Sequence, residues 1–325
     1  MSPIKQLQAW RGSMRRHAAI ALIVILVSGT LASAQGVCDS FGCSDNGPSS
    51  NANGSGSASD FECGGDTWTL SGSVLWLARK NFTAEISRLL GDTGFDPIPY
   101  DFGYRAGYEI GLDLHLDSER RFATRWFDAN WRQVETRQRN LTVGTFSHDS
   151  YLQSFEVVHR TQWLNCFNPS LGVRYVEYGE SALQNIDLPI LDNFAALTVT
   201  NSMFGAQFGA DGDLWCAESL SIGYFTNLAV FGNYAHLNSA RWDIGAGPNT
   251  TPTIKDEVGV FLAEIGLNGQ VQLTRCLSIR GGYRCLWLDG VVSTRDLDFS
   301  GLPNVELRNE TAFFHGADLG LELVF

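Results

Sequence analysis

Beyond its first 27 residues the chain has no run of about 18 apolar residues, so no later segment can cross a bilayer as a helix. It has no GxSxG, HExxH or Walker pattern, which removes the motifs by which hydrolases, zinc proteases and P-loop enzymes are read. Close ligand pairs of the kind a zinc site needs are also missing: Cys38 and Cys43, with four residues between them, are the nearest approach. No cofactor, no metal site and no catalytic residue is expected. Basic residues are scarce, with 23 Lys and Arg against 35 Asp and Glu. Four of the basic ones fall in the first 34 residues, which hold no acid; the rest of the chain is left with 19 against 35, a net charge of −16. Such a chain would repel the phosphates of a nucleic acid, so nucleic acid is excluded as a partner.

What the sequence does contain begins with an export signal. Lys5, Arg11, Arg15 and Arg16 precede the apolar run Ala18–Val27, and small residues at Ala32–Ala34 supply a cleavage site before Gln35. Ten strongly apolar residues are too few for a spanning helix, so residues 1–34 read as a secretory signal peptide. Residues 35–65 are rich in Ser, Gly and Asn and poor in large apolar groups. They cannot bury enough surface to offset their ordering entropy and read as a flexible periplasmic segment. From residue 66 to 325 the character changes to aromatic-rich alternation.

That alternation has a period of two, which belongs to strands rather than helices. Tyr104, Ala106, Tyr108, Ile110, Leu112 and Leu114 share one face, and Arg105, Glu109 and Asp113 the other. Ten segments follow this rule, at 67–78, 104–116, 121–134, 150–164, 170–181, 196–211, 219–235, 258–274, 277–290 and 311–325. Each has at least 12 residues, above the ~9–11 a tilted membrane crossing needs. Short connections (117–120, 165–169, 212–218, 275–276) alternate with long ones (79–103, 135–149, 182–195, 236–257, 291–310). A β-sandwich or lipocalin-like barrel would also alternate. Segment length, loop asymmetry and aromatics near segment ends (Trp68, Tyr104, Tyr151, Trp163, Tyr234) favour a transmembrane antiparallel up-and-down β-barrel. The expected count is ten strands, with twelve as the alternative. The barrel would have short periplasmic turns and long outer loops, and the bacterial outer membrane is the expected location.

The last residues, "DLGLELVF", resemble the C-terminal signal of bacterial outer-membrane barrels at Asp318, Gly320, Leu323 and Phe325. The resemblance implies the lipid bilayer and the barrel-assembly machinery as partners, the latter engaging this strand. More narrowly, "WLAR" (Trp76–Arg79), "LGVRY" (Leu171–Tyr175), "NSMFGAQFGAD" (Asn201–Asp211), "GGYRCLWLDGV" (Gly281–Val291) and "FFHGADLGLELVF" (Phe313–Phe325) resemble the planctomycete-type beta-barrel porin family. That likeness covers residues 66–325 and brings no catalytic residues with it.

If the apolar faces meet lipid, the opposite faces line the lumen with Arg105, Glu109, Asp113, Asp128, Arg132, Glu156, Arg160, Arg174, Glu264, Arg280, Arg284, Asp318 and Glu322. Barrels of about eight strands just fill with side chains and ~16–18 leave an open channel, so ten strands lie near the closed end. The expected protein is therefore structural or surface-displayed, with a charged, largely plugged lumen. A narrow porin-like channel for ions or small solutes is the alternative, and a barrel enzyme with a loop-based site at "SHDS" (Ser147–Ser150) or His236 the remote one. Cys63, Cys166, Cys216 and Cys276 all fall at the short-turn rim, where an exported chain can form disulfides. Cys166–Cys216 and Cys63–Cys276 are the expected pairs, and Cys285 the expected free thiol. The oligomeric state is not legible.

Overall fold

The structure, a computed structural model, describes residues 68–80, 82–84, 98–100, 102–117, 119–139, 142–163, 167–187, 192–217, 219–243, 247–274, 276–294 and 309–325. The signal peptide and the Ser/Gly/Asn-rich segment lie outside the described residues. Twelve strands follow in order: β1 (Trp68–Arg79), β2 (Phe82–Ala84), β3 (Ile98–Tyr100), β4 (Tyr104–His115), β5 (Arg120–Arg139), β6 (Thr142–Thr161), β7 (Asn168–Asp187), β8 (Asp192–Ala217), β9 (Leu220–Asp243), β10 (Gly247–Gln272), β11 (Leu277–Val292) and β12 (Asn309–Val324). β2 and β3 form a separate hairpin; the other ten close into one antiparallel barrel in chain order, with β12 returning to β1. The seam pairs eleven positions, from Thr69↔Val324 to Arg79↔Phe314. Beyond them Trp68 N–H donates to Phe325 O and Phe325 N–H to Trp68 O, both at 3.0 Å.

Register fixes the barrel's dimensions. One ladder row runs from Leu75 through Gly107, Ala129, Leu152, Tyr178, Asn201 and Ala235 to Asp256 on β10. Followed the other way, through Asp318 and Gly282, the same row meets β10 at Asn268, an offset of 268 − 256 = 12 residues. Ten strands with that stagger imply a tilt of about 40° and a radius of about 10 Å.

The ladders extend well past the alternating segments. The connections read as long loops at 135–149, 182–195 and 236–257 are largely strand, because β5 to β10 run 20–26 residues each. Backbone pairing continues there after the apolar alternation has stopped. A sheet needs alternation only where its two faces meet different surroundings. Of the short connections, 212–218 is strand as far as Ala217, while Asp117 closes β4–β5 by accepting from the N–H groups of Glu119 and Arg120 at 3.0 and 2.7 Å and from Arg120 Nε at 2.8 Å. The Arg120 side chain contributes most to holding the Asp117 carboxyl below its ordinary pKa.

The outer wall is apolar. On β1, Trp68, Leu70, Val74 and Trp76 are exposed, as are Tyr108, Ile110 and Leu112 on β4 and Leu319, Leu321 and Leu323 on β12. A belt of this kind, continuous around neighbouring strands, far exceeds the few hundred Å² a water-soluble monomer exposes. It matches the lipid-facing band of a membrane barrel.

Candidate functional site

The interior is built in layers, each from inward positions of several strands. At the short-turn end lies a polar vestibule of about 930 Å³. Four of its charges form a square: Arg121 approaches Asp211 at 3.2 Å and Asp113 at 3.5 Å, and Arg160 approaches the same acids at 3.5 and 3.9 Å. Across from them Gln270 Nε2 donates to Glu322 Oε1 at 3.0 Å. Asp117, Glu119 and Cys216 at the turns line its mouth, and Arg125 its floor.

That floor is a girdle of buried ions. Arg125 reaches Glu156 at 2.9 Å, Glu264 at 3.2 Å and Glu109 at 3.8 Å. Arg174 reaches Glu264 at 2.8 Å and Glu156 at 3.5 Å. Arg284 reaches Glu109 at 2.7 Å, Glu264 at 3.5 Å and Asp318 at 3.6 Å. Gln207 and Asn227 donate to Glu156 and Glu264, each at 3.1 Å, and Arg174 Nε donates to Ser154 Oγ at 2.7 Å. Three guanidiniums thus face four carboxylates, and Arg280, 3.5 Å from Glu109, balances the count from the vestibule side. The Arg174 and Glu264 side chains are fully buried. Charges removed from water persist only when paired and hydrogen-bonded, and here the charged partners come from seven strands, with Gln207 and Asn227 adding two more.

Above the girdle the inward face turns apolar. Leu75, Phe127, Trp131, Val176, Met203, Leu262 and Phe314 are buried there. Trp131 Nε1 donates to Leu77 O at 3.0 Å, and its ring lies 5.2 Å from that of Phe314. At the far end β11 bends inward at a bulge between Asp289 and Val291, where Gly290 takes φ +96°. Any Cβ at Gly290 would be strained at that φ and would stand 2.8 Å from Gly259 O. The bend buries Val291 through Thr294. Asn201 on β8 clasps Val292 through its backbone N–H and C=O, both at 2.8 Å. Thr294 N and Oγ1 both donate to Glu180 Oε2 on β7 at 2.8 Å. Glu180 also pairs with Arg79 and accepts from Tyr178 Oη.

Ten of the thirteen expected lumen charges lie in these layers: Glu109, Asp113, Glu156, Arg160, Arg174, Glu264, Arg280, Arg284, Asp318 and Glu322. Three do not. Asp128 faces outward, opposite exposed Tyr108, and accepts from Asn130 and Gln153. Arg132 is also outward, exposed and 3.3 Å from Asp149. Arg105 is exposed and donates to the Arg132 carbonyl at 3.4 Å. The inward residues of β5 are instead Arg121 and Arg125, which the sequence reading missed together with Arg79, Glu180 and Asp211. β5 carries large apolar groups on both faces, Phe122 and Trp126 outside and Phe127 and Trp131 inside, so alternation alone leaves its phase open. The short β4–β5 turn carries the missing signal, since it pairs Tyr108 with Asp128 and so sends both outward.

Two further readings need correction. "SHDS" is not a solvated loop: it lies within β6, and His148 is fully buried, 3.9 Å from Glu180 and 5.2 Å from the Phe102 ring. His236 lies within β9, opposite Thr200 and Lys255. Cys63 and Cys166 lie outside the described residues; Cys216 and Cys276 are disulfide-bonded, and Cys285 is a free thiol.

An apolar outer wall, a closed ten-strand ladder and an interior filled with paired ions define a transmembrane β-barrel. No protein-family model matches the chain, and no curated protein matches it. Among solved structures it is similar to the outer-membrane protease OmpT of Escherichia coli, at 10% identity over 80% of this chain and 97% of that one, with a TM-score of 0.46. It is also similar to the translocator domain of the autotransporter NalP of Neisseria meningitidis (11% identity, 80% and 89% of the two chains, TM-score 0.37). The Pseudomonas putida toluene transporter TodX is similar at 11% identity, over 80% and 89% of the two chains, with a TM-score of 0.36. None of these likenesses bears on what this chain carries, cuts or binds.

Proposed function

We propose that this chain is a bacterial outer-membrane β-barrel whose lumen is closed by its own side chains, and that it acts as a structural or surface-displayed envelope protein. One observation carries the reading. The buried girdle of Arg125, Arg174 and Arg284 with Glu109, Glu156, Glu264 and Asp318 is backed by an apolar layer around Trp131 and Phe314. An ion crossing this stack would have to break paired charges and then shed its water against hydrocarbon. The signal peptide at residues 1–34 supports export, and Asp318, Gly320, Leu323 and Phe325 support handling by the barrel-assembly machinery. Membership of the planctomycete-type porin family, suggested by the motifs quoted above, belongs to the same proposal, as does the absence of an enzymatic role.

The test is planar-bilayer recording of the purified barrel. We expect no reproducible unitary steps for the native chain, and new steps once Trp131→Ala and Phe314→Ala are combined. Regular conductance from the native protein would refute closure. It would favour the second reading, a narrow channel for ions or small solutes, for which the roomy vestibule is the supporting observation.

A further inference from the structure

Register fixes the height of every outward side chain. At a tilt of about 40°, one residue along a strand advances about 2.5 Å along the barrel axis, and one step to the next strand along a ladder row advances about 3 Å. One row runs from Val74 through Asp128, Glu177 and Tyr234 to Glu257 of β10. Taken the other way, through Leu319 and Gly281, it meets β10 at Gly269, 269 − 257 = 12 residues nearer the short turns. The row therefore climbs away from those turns as it passes from β1 to β10. Measured along the axis from Val74, exposed Trp68, Leu116, Trp215 and Phe325 lie about 15–18 Å toward the short turns. Exposed Tyr104, Phe204, Val230 and Trp287 lie about 8–13 Å the other way. Each ring is nearly level around the barrel, and the two are about 27 Å apart, close to the ~25 Å apolar band of a membrane barrel.

Above the upper ring the same outward face changes its chemistry. On β5 to β9 it presents Asn130, Arg132, Asp149, Ser181, Thr198 and His236. Among the described residues, the only large apolar side chains exposed at that height are Val134 and Tyr234. Glu177 stands at the change, about 12 Å above Val74, and accepts from Tyr151 Oη and Tyr175 Oη, both at 2.8 Å. Asp128 lies about 6 Å lower than Glu177. It is covered, and its carboxylate accepts from the higher Asn130 and from Gln153. Polar groups so close to hydrocarbon persist because their hydrogen bonds are made within the wall and their phenols mark an interface. We infer that the bilayer's hydrocarbon ends on the outer side at the level of Tyr104, Phe204, Val230 and Trp287, and that the hydroxyl-, amide- and carboxylate-lined face of β5 to β9 above it takes the polar headgroups of the outer leaflet. β1 and β4 stop at that level, at Arg79 and Tyr104. β5 to β9 continue to Arg139, Thr142, Asp187, Asp192 and Asp243, about 25–30 Å higher. One side of the ring thus projects beyond the membrane as a wall. This boundary rests on the membrane-barrel reading, holds whether or not the lumen conducts, and identifies the surface that a displayed protein leaves outside the lipid.

The test is hydroxyl-radical footprinting of the full-length protein folded into phosphatidylcholine vesicles, read residue by residue by mass spectrometry. Three tyrosines of like chemistry serve as depth markers. Tyr108, Tyr283 and Tyr234 are 46%, 44% and 41% exposed on the bare barrel; the first two lie between the rings and the third above them. Tyr234 should be oxidised at least about tenfold faster than either of the others, because radicals formed in water do not reach the hydrocarbon. Slow oxidation of all three would set lipid against the wall and overturn the boundary, with the membrane barrel itself intact. Fast oxidation of all three would refute the membrane-barrel reading on which the boundary rests. Substitution gives a second measurement, by reversible denaturant titration in the same vesicles. Leu267→Arg, midway between the rings, should lower the folded-to-unfolded ratio by about 30- to 1000-fold, and Val134→Arg, on the wall, by less than about fivefold. A penalty for Val134→Arg as large as that for Leu267→Arg would also overturn the boundary.

Discussion

Replacing Glu264 by Gln removes one charge from the centre of the girdle while keeping its shape. Glu264 receives Arg174 at 2.8 Å, Arg125 at 3.2 Å and Arg284 at 3.5 Å, and accepts from Asn227 at 3.1 Å. The amide can still accept hydrogen bonds, but the girdle changes from three cations facing four anions to three facing three. With Arg280 still nearby, an excess of positive charge is then left in a dry layer. Removing one partner of a buried ion pair costs about 3–5 kcal/mol, because the remaining charge has lost its compensation rather than because the pair itself was so favourable. Each of three arginines loses only part of its partnership, so the lower end of that range, about 3 kcal/mol, is the expected loss. The assay is reversible urea unfolding of the barrel in detergent micelles, followed by tryptophan fluorescence and by the compact gel form. A second arm tests the cause: Arg174→Met combined with Glu264→Gln should recover at least about 1 kcal/mol relative to the sum of the single changes. A single-variant loss below about 1 kcal/mol, or strict additivity in the double variant, would refute the claim that these charges are dry and mutually dependent.

Other outcomes follow from the layers. Arg125→Ala should cost at least about 3 kcal/mol, whereas Arg132→Ala, outward and exposed beside Asp149, should cost less than about 1 kcal/mol; equal costs would reverse the assigned phase of β5. Gly290→Ala should destabilise by about 1–3 kcal/mol through its left-handed backbone and loosen the inward bend held by Asn201 and Glu180. Faster proteolysis after residue 290, with the rest of the barrel intact, is the check. Phe325→Ala should lower the amount of barrel reaching the outer membrane far more than the stability of the molecules that arrive. Normal membrane levels would count against a role for that strand in assembly.

Much of this architecture is legible in the chain. Strict alternation in β4, β10, β11 and β12 gives both the strands and their lipid-facing side, because each has a clearly apolar face opposed by charges such as Glu109, Glu264, Arg284 and Asp318. The ten-strand count follows from the regular exchange of short and long connections. The far halves of β5 to β10 were hidden because their alternation fades although the hydrogen-bond ladder does not. The phase of β5 was hidden for the opposite reason, since both its faces are apolar.

Alternation thus settles locally which residues can be wet and which cannot, and it settled the class of fold. It could not settle which charge meets which. Arg125 pairs with Glu156 one strand away but also with Glu264 five strands away, and Thr294 reaches Glu180 across the lumen. Those partnerships depend on the barrel's stagger and radius, which arise only when every strand has found its neighbour. Sequence alone specified a membrane barrel with a charged interior; only closure of the ring determined how that interior is filled.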